Sequence, residues 1–149
     1  MANQGDFSSG DVLSAADLNG FSQVTIASGA QSIPTATNTT LSFDTEVIDV
    51  GGWFAPTSSD ITPDIDGIYI ISISVVGMNP GPATRTLGMI YQNATVIASY
   101  DNNSSVNDFT ITAYADVTDG DDFAVVVYQN GGSTETPTAT FSVHLIRAT

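Results

Sequence analysis

The chain has 149 residues, 42% apolar and 12% charged, with 16 acids against two cations, Arg85 and Arg147, for a formal net charge of −14. That length makes one domain with a real core, and that charge repels phosphate backbones and anionic lipid, which excludes nucleic acid and membrane surfaces as partners. Cysteine is absent, so no disulfide holds the fold. Residues 1–6 have neither a basic region nor an apolar stretch, so no secretory signal is read there, and no apolar run reaches membrane length. The expectation is a product made and assembled in a cytoplasm.

Residues 1–21 differ in pattern from the rest of the chain. Ser14 is placed to N-cap a short helix, with Asp17 in its first turn and Asn19-Gly20 as its stop. One turn is too short to stand alone in water. Phe7, Val12, Leu13 and Leu18 are then exposed unless something receives them. The segment reads either as a frayed leader or as a docking peptide that orders on a partner. On the second reading the chain divides into a docking segment, 1–21, and a folded domain, 22–149.

From residue 22 the pattern is strand and turn to the end. Short strands are predicted over 23–27, 39–44 and 46–50, succeeded by a segment from Trp53 through Pro63 in which Pro56 and Pro63 argue for edge or connecting positions. The turn pair Asp66-Gly67 opens the most apolar run, 68–76. Tyr69, Ile71, Ile73 and Val75 form one wholly apolar face of it. Ile68, Ile70, Ser72, Ser74 and Val76 form a second face that carries no charge. A half-buried strand shows charged or long polar groups on its open face, so this strand reads as central and covered on both sides. Residues 84–91 and 95–100 form a hairpin about Gln92-Asn93. Residues 107–117 alternate, with Phe109, Ile111, Ala113, Ala115 and Val117 inward and Thr110, Thr112, Tyr114 and Asp116 outward. After Asp119-Gly120-Asp121, residues 123–128 are again apolar on both faces. The last strand, 138–148, turns Ala139, Phe141, Val143 and Leu145 inward. The fold class is all-β: about eight to ten strands at short spacing, read as an antiparallel jelly-roll sandwich.

Four ordered pieces carry a resemblance. They are Phe43 with Val50-Gly51-Gly52-Trp53-Phe54; then Ile61-Thr62-Pro63-Asp64-Ile65-Asp66-Gly67-Ile68-Tyr69; then Val117-Thr118-Asp119-Gly120-Asp121-Asp122-Phe123-Ala124-Val125; and the closing Phe141-Ser142-Val143-His144-Leu145. Together they resemble the globular head of complement component one q and the tumour necrosis factor-like jelly rolls, especially their short microbial and phage members, over residues 22–149. The leader, Gly10-Asp11-Val12-Leu13-Ser14-Ala15-Ala16-Asp17-Leu18-Asn19, resembles a segment found near the start of phage tail-fibre and head-appendage proteins. The resemblance implies a homotrimer about a threefold axis. The residues agree independently, because 68–76 and 123–128 carry more apolar surface than one thin sandwich hides. The expected trimer interface is Ile68, Ile70, Ser72, Ser74, Val126 and Tyr128, the two serines permitting close approach. The vertebrate collagen stalk is missing, and two arginines cannot make the basic ligand patches of some members, so nothing about their ligands transfers.

No catalytic constellation stands out. His144 is the only histidine, and on a strand between Val143 and Leu145 it reads as structural. There is no zinc set, no Gly-rich phosphate loop with Lys, and no base to activate the serines. Asp119, Asp121 and Asp122 share a loop, and carboxylates with loop carbonyls suit Ca²⁺. The competing reading is turn chemistry, since Asp precedes Gly for backbone reasons. The loops 78–83, 100–105 and 129–137 have the composition of adaptable contact loops. The expected function is therefore non-enzymatic: a structural bacteriophage virion protein, assembled in the host cytoplasm. It is read as a trimeric knob, head decoration or fibre head. Its N-terminus meets capsid or tail proteins, and its loops are available to a host surface glycan or protein. The alternative is a secreted or cell-surface bacterial binding module of the same fold.

Overall fold

The computed structural model describes residues 24–79, 81, 84–103 and 108–149. The predicted short helix and the docking residues Phe7, Val12, Leu13 and Leu18 lie outside the described residues. Within them run ten strands: β1 (Val24–Ala30), β2 (Thr39–Thr40), β3 (Thr45–Asp49), β4 (Asp60–Ile61), β5 (Gly67–Val76), β6 (Thr86–Gln92), β7 (Thr95–Asn102), β8 (Phe109–Val117), β9 (Phe123–Gln129) and β10 (Thr138–Ala148). They make two antiparallel sheets. The first has the order β3-β1-β10-β5-β8; the second has the order β2-β9-β6-β7, with β4 also on β9.

The alternation read from the sequence sets which residues fill the space between the sheets. β5 buries Tyr69, Ile71, Ile73 and Val75; β10 buries Ala139, Phe141, Val143 and Leu145; β8 buries its five odd-numbered residues. The second sheet meets them with Ile90, Phe123, Val125 and Val127. A period of two puts every second side chain on one face, so this one register makes the whole core.

The stretch 41–63 is less regular than predicted. Of the predicted strand 39–44 only Thr39 and Thr40 pair, and β3 and β4 are short, although Leu41, Phe43, Trp53, Phe54 and Ile61 are all buried. The reason lies in where the backbone goes. Leu41 N–H still bonds Val125 O of the second sheet at 2.8 Å, whereas Asp44 N–H bonds Ser28 O of the first at 3.2 Å. The segment crosses between sheets and cannot stay in one ladder. Phe43 stacks on Phe141 with ring centroids 5.5 Å apart, and Trp53 packs against Tyr69 at 5.5 Å. Asp49 clasps the crossing. Its carboxylate accepts from the fully buried Thr25 hydroxyl and from the backbone N–H groups of Trp53 (3.0 Å) and Phe54 (3.2 Å). Trp53 Nε1 donates to Asp64 at 2.8 Å. Tyr69 donates to Ile65 O at 2.8 Å, and burial, with the Asp64 and Asp66 charges, pushes its phenol pKa up.

Two turns follow different logic. The β6–β7 hairpin reverses at Asn93 and Ala94, both with positive φ (48° and 64°), the pairing that suits a tight hairpin. Gly67 is required by space, not by turn conformation. A Cβ there would sit 2.3 Å from the backbone oxygen of Arg147.

Candidate functional site

The features left for function are the two outward faces and the two ends of the sandwich. Register defines the first outer face. Val24, His144, Ile70 and Tyr114 form one row across β1, β10, β5 and β8; Ile26, Ser142, Ser72 and Thr112 form the next; Ser28, Thr140, Ser74 and Thr110 a third. The hydroxyls touch across strands: Thr112 Oγ1 lies 3.3 Å from Ser72 Oγ, and Ser142 Oγ donates to Ser72 O at 3.4 Å. No carboxylate or guanidinium stands in these three rows. Charge returns at both ends, where Asp116 and Arg147 flank Ile68 and where Asp108 meets Gly77. Tyr114 is 71% exposed, and Val76 and Ile48 near the margins 52% and 42%. In a chain of net charge −14, these rows make an area four strands wide without an acid or an arginine.

The six expected interface residues do not form one patch. Ile68, Ile70, Ser72 and Ser74 share this first face, half-buried by their strand neighbours. Val126 and Tyr128 lie on the outer face of the second sheet, on the far side of the core. There Val126 pairs with Met89 and Tyr128 with Leu87, while Tyr91 sits opposite Ala124. Both strands are apolar on both faces, as the sequence implies, but their extra faces point in opposite directions. Sequence alternation distinguishes inside from outside and says nothing of which sheet a strand joins. Tyr114, Val24 and Ile26 also belong to the first face, without a sequence signal that marks them; only the register of β1, β10 and β8 against β5 brings them there. His144 lies exposed in the same face.

The acidic turn is built for its backbone. Asp121 accepts from Thr118 N–H (3.0 Å) and Gln92 Nε2 (2.9 Å) on one oxygen and from Asn93 Nδ2 on the other. Those bonds, the Thr118 N–H foremost, hold its carboxyl below the usual carboxylate range. Asp122 N–H donates to Asn93 Oδ1 (3.1 Å), and Asp119 N–H to Asp66 Oδ1 (2.7 Å). Among the described residues no group of three or more His or acidic side chains is arranged around a common metal position. Asp119, Asp121 and Asp122, the expected calcium ligands, share this one turn, with Asp121 bonded to N–H donors of its neighbours.

The loops 78–83 and 129–137 meet at Asn79 and Glu135. Gly77 N–H bonds Asp108 Oδ1 (2.7 Å), Asn79 N–H bonds Glu135 Oε2 (3.0 Å), Arg85 N–H bonds Asn130 Oδ1 (2.6 Å), and Ile33 bridges Glu135. Inside this end, the fully buried Gln129 donates to Ile33 O (3.1 Å) and Ser133 O (2.9 Å) and accepts from Gly131 N–H. The opposite end holds Asp66, Thr149 and the start of β1. The sandwich thus has a loop end and a chain-terminus end.

No family model and no curated protein matches the chain. Among solved structures it is similar to the globular domain of zebrafish complement 1qA protein (TM-score 0.67, 14% identity, 86% of this chain and 99% of that one). It is also similar to vertex protein P5 of PRD1 (TM-score 0.59, 16% identity, 83% and 97%) and to Eiger TNF from S. frugiperda (TM-score 0.54, 10% identity, 83% and 92%). At these identities the likeness speaks for the fold, and it agrees with the strand order: the chain has a jelly-roll fold like that of the complement 1q and tumour necrosis factor-like domains.

Proposed function

We propose that the chain is a structural protein of a bacteriophage particle, a trimeric knob, head decoration or fibre head attached through residues 1–21. Its subunits meet through the outer face of the first sheet. The observation that carries this reading is that face itself: four strands wide, uncharged in its three central rows, and edged by exposed Tyr114, Val76 and Ile48. Val24, Ile26, Ile70 and Tyr114 supply its apolar surface among hydroxyls, and an exposed apolar patch rimmed by polar residues marks an interaction site. The fold likeness to a phage vertex protein and to complement and tumour necrosis factor-like domains supports a structural role over a catalytic one. The loop end then points away from the attached end, toward a host surface.

Light scattering on the isolated protein is expected to give three times 15.5 kDa. Ile70→Asp places a carboxylate in the proposed interface three times over. Burying an unpaired charge costs several kcal/mol each time, so this variant is expected to be a folded monomer. Val126→Asp, on the other sheet, is expected to remain a trimer. A monodisperse wild-type monomer, or an Ile70→Asp trimer, overturns the reading. Removal of residues 1–21 is expected to leave a trimer that no longer enters particles; unchanged incorporation removes the attachment role.

A further inference from the structure

We propose that the outer face of the second sheet, beside the loop end, carries a binding site for a neutral saccharide, built from Arg85, Asp101, Leu87, Tyr128 and Asn130. Register assembles it. Tyr128, Leu87 and Asp101 lie side by side across β9, β6 and β7, and Arg85, two residues before Leu87, points to the same face. Arg85 Nε donates to Asp101 Oδ1 at 2.9 Å and Nη2 to Oδ2 at 2.8 Å, both side chains 47% exposed. The backbone beneath is fixed from both sides. Arg85 N–H bonds Asn130 Oδ1, and Asn130 N–H bonds Arg85 O at 3.2 Å.

An exposed pair of this kind stabilises a fold little, yet it holds one of the chain's two cations. What it does offer is a rigid planar edge. The guanidinium has five N–H groups and gives two to Asp101; the carboxylate has lone pairs beyond the two it uses. Donors and acceptors therefore alternate along one line, which is what adjacent hydroxyls require, each of them donor and acceptor at once. Beside that edge lie the half-buried Tyr128 ring and Leu87. An aromatic ring and an aliphatic side chain next to a polar edge match a pyranose, with C–H groups on its faces and hydroxyls around its rim. The charge selects the class. A net charge of −14 repels sulfated, phosphorylated or sialylated glycans. The pair itself is neutral, so it has no net charge to draw a cation.

This site uses none of the first-sheet residues proposed to join the subunits. Light scattering tests the trimer and saccharide retention tests the site, so the failure of one is distinguishable from the failure of the other. The full chain is offered oligosaccharides of glucose, galactose, mannose and N-acetylglucosamine, with sulfated and sialylated counterparts, on an array. Binders are then titrated by amide NMR. At least one neutral series is expected to bind, with shifts at Leu87, Asp101, Tyr128 and the Arg85 Nε–H. Arg85→Gln and Tyr128→Ala are each expected to weaken binding about tenfold or more, as expected for loss of a charge-assisted hydrogen bond or of a stacking ring. Arg85→Lys is expected not to restore binding, because a point charge lacks the planar edge. Asp116→Asn, on the other sheet, is expected to bind as wild type does. The proposal is overturned if no neutral oligosaccharide binds, if acidic ones bind better, or if folded Arg85→Gln and Tyr128→Ala bind as wild type does.

Discussion

Gly67→Ala tests how the central strand is seated. A Cβ at position 67 would lie 2.3 Å from Arg147 O, 2.8 Å from Leu145 Cδ1 and 3.1 Å from Ala148 Cα. A carbon meets a carbonyl oxygen comfortably at about 3.3 Å, so the overlap is about 1 Å. The leucine methyl can rotate away, but the carbonyl cannot, because β10 is laddered to β5 up to Ala148 opposite Gly67. Relief requires moving the end of β10, just past the register shift between Leu145 and Arg147. Overpacking costs about 1–3 kcal/mol, and a backbone obstacle places this case at about 3. For a domain of this size that is about a 10 °C fall in Tm. The assay is thermal unfolding by circular dichroism beside Gly120→Ala, where φ is 93° and the space is open. That control carries only the backbone penalty of about 1 kcal/mol. A Gly67→Ala protein melting within about 2 °C of wild type refutes the argument.

Asp49→Ala is expected to cost about 2–4 kcal/mol in urea unfolding, since it strands a buried hydroxyl and two N–H groups. Asp49→Asn, which keeps one acceptor oxygen, should cost less; equal losses contradict the clasp. Gln129→Leu leaves Ser133 O and Gly131 N–H without the Gln129 amide and Ile33 O with the Glu135 N–H alone, and about 2–3 kcal/mol is expected to go with it. Faster hydrogen exchange at Gly131 is the local signature, and unchanged protection there contradicts it. The Asp121 carboxyl is held below its ordinary range in the fold. Its stabilisation is therefore complete above the unfolded value of about 4 and fades as pH falls through the folded value. The Tm gap between wild type and Asp121→Ala should be steady from pH 7 to 5 and close toward pH 2.5. A gap that widens with acid has the wrong sign.

Much of the fold is legible in the sequence because every long strand of the first sheet's centre obeys one rule. In β8, Phe109 to Val117 turn inward and Thr110 to Asp116 outward as the alternation predicts, and the same holds for β5 and β10. Such alternation is local and survives folding. The segment around Leu41 and Phe43 reads as a strand because its residues favour strands, but a crossing between sheets is a tertiary fact. The candidate sites divide the same way. That Ile70 and Val126 both face outward is visible in the spacing. That they face opposite directions depends on β9 pairing with β6 and β10 with β5, which no spacing in the chain encodes. Arg85 and Asp101 are sixteen residues apart across a hairpin, and only its register sets them side by side. The acidic turn is ambiguous in sequence between an ion and a backbone role. The structure displays the backbone role, with Thr118, Gln92 and Asn93 supplying donors to Asp121.

β8 is the outermost strand of the first sheet, nine residues long, with its far side toward no other strand of that sheet. A row of N–H and C=O groups of that length is a template on which another polypeptide can zip. Asp108 and Asp116 stand toward its two ends and resist stacking of like copies. High salt screens those carboxylates, so storage in it invites ribbon-like aggregates that begin at Thr110 and Thr112.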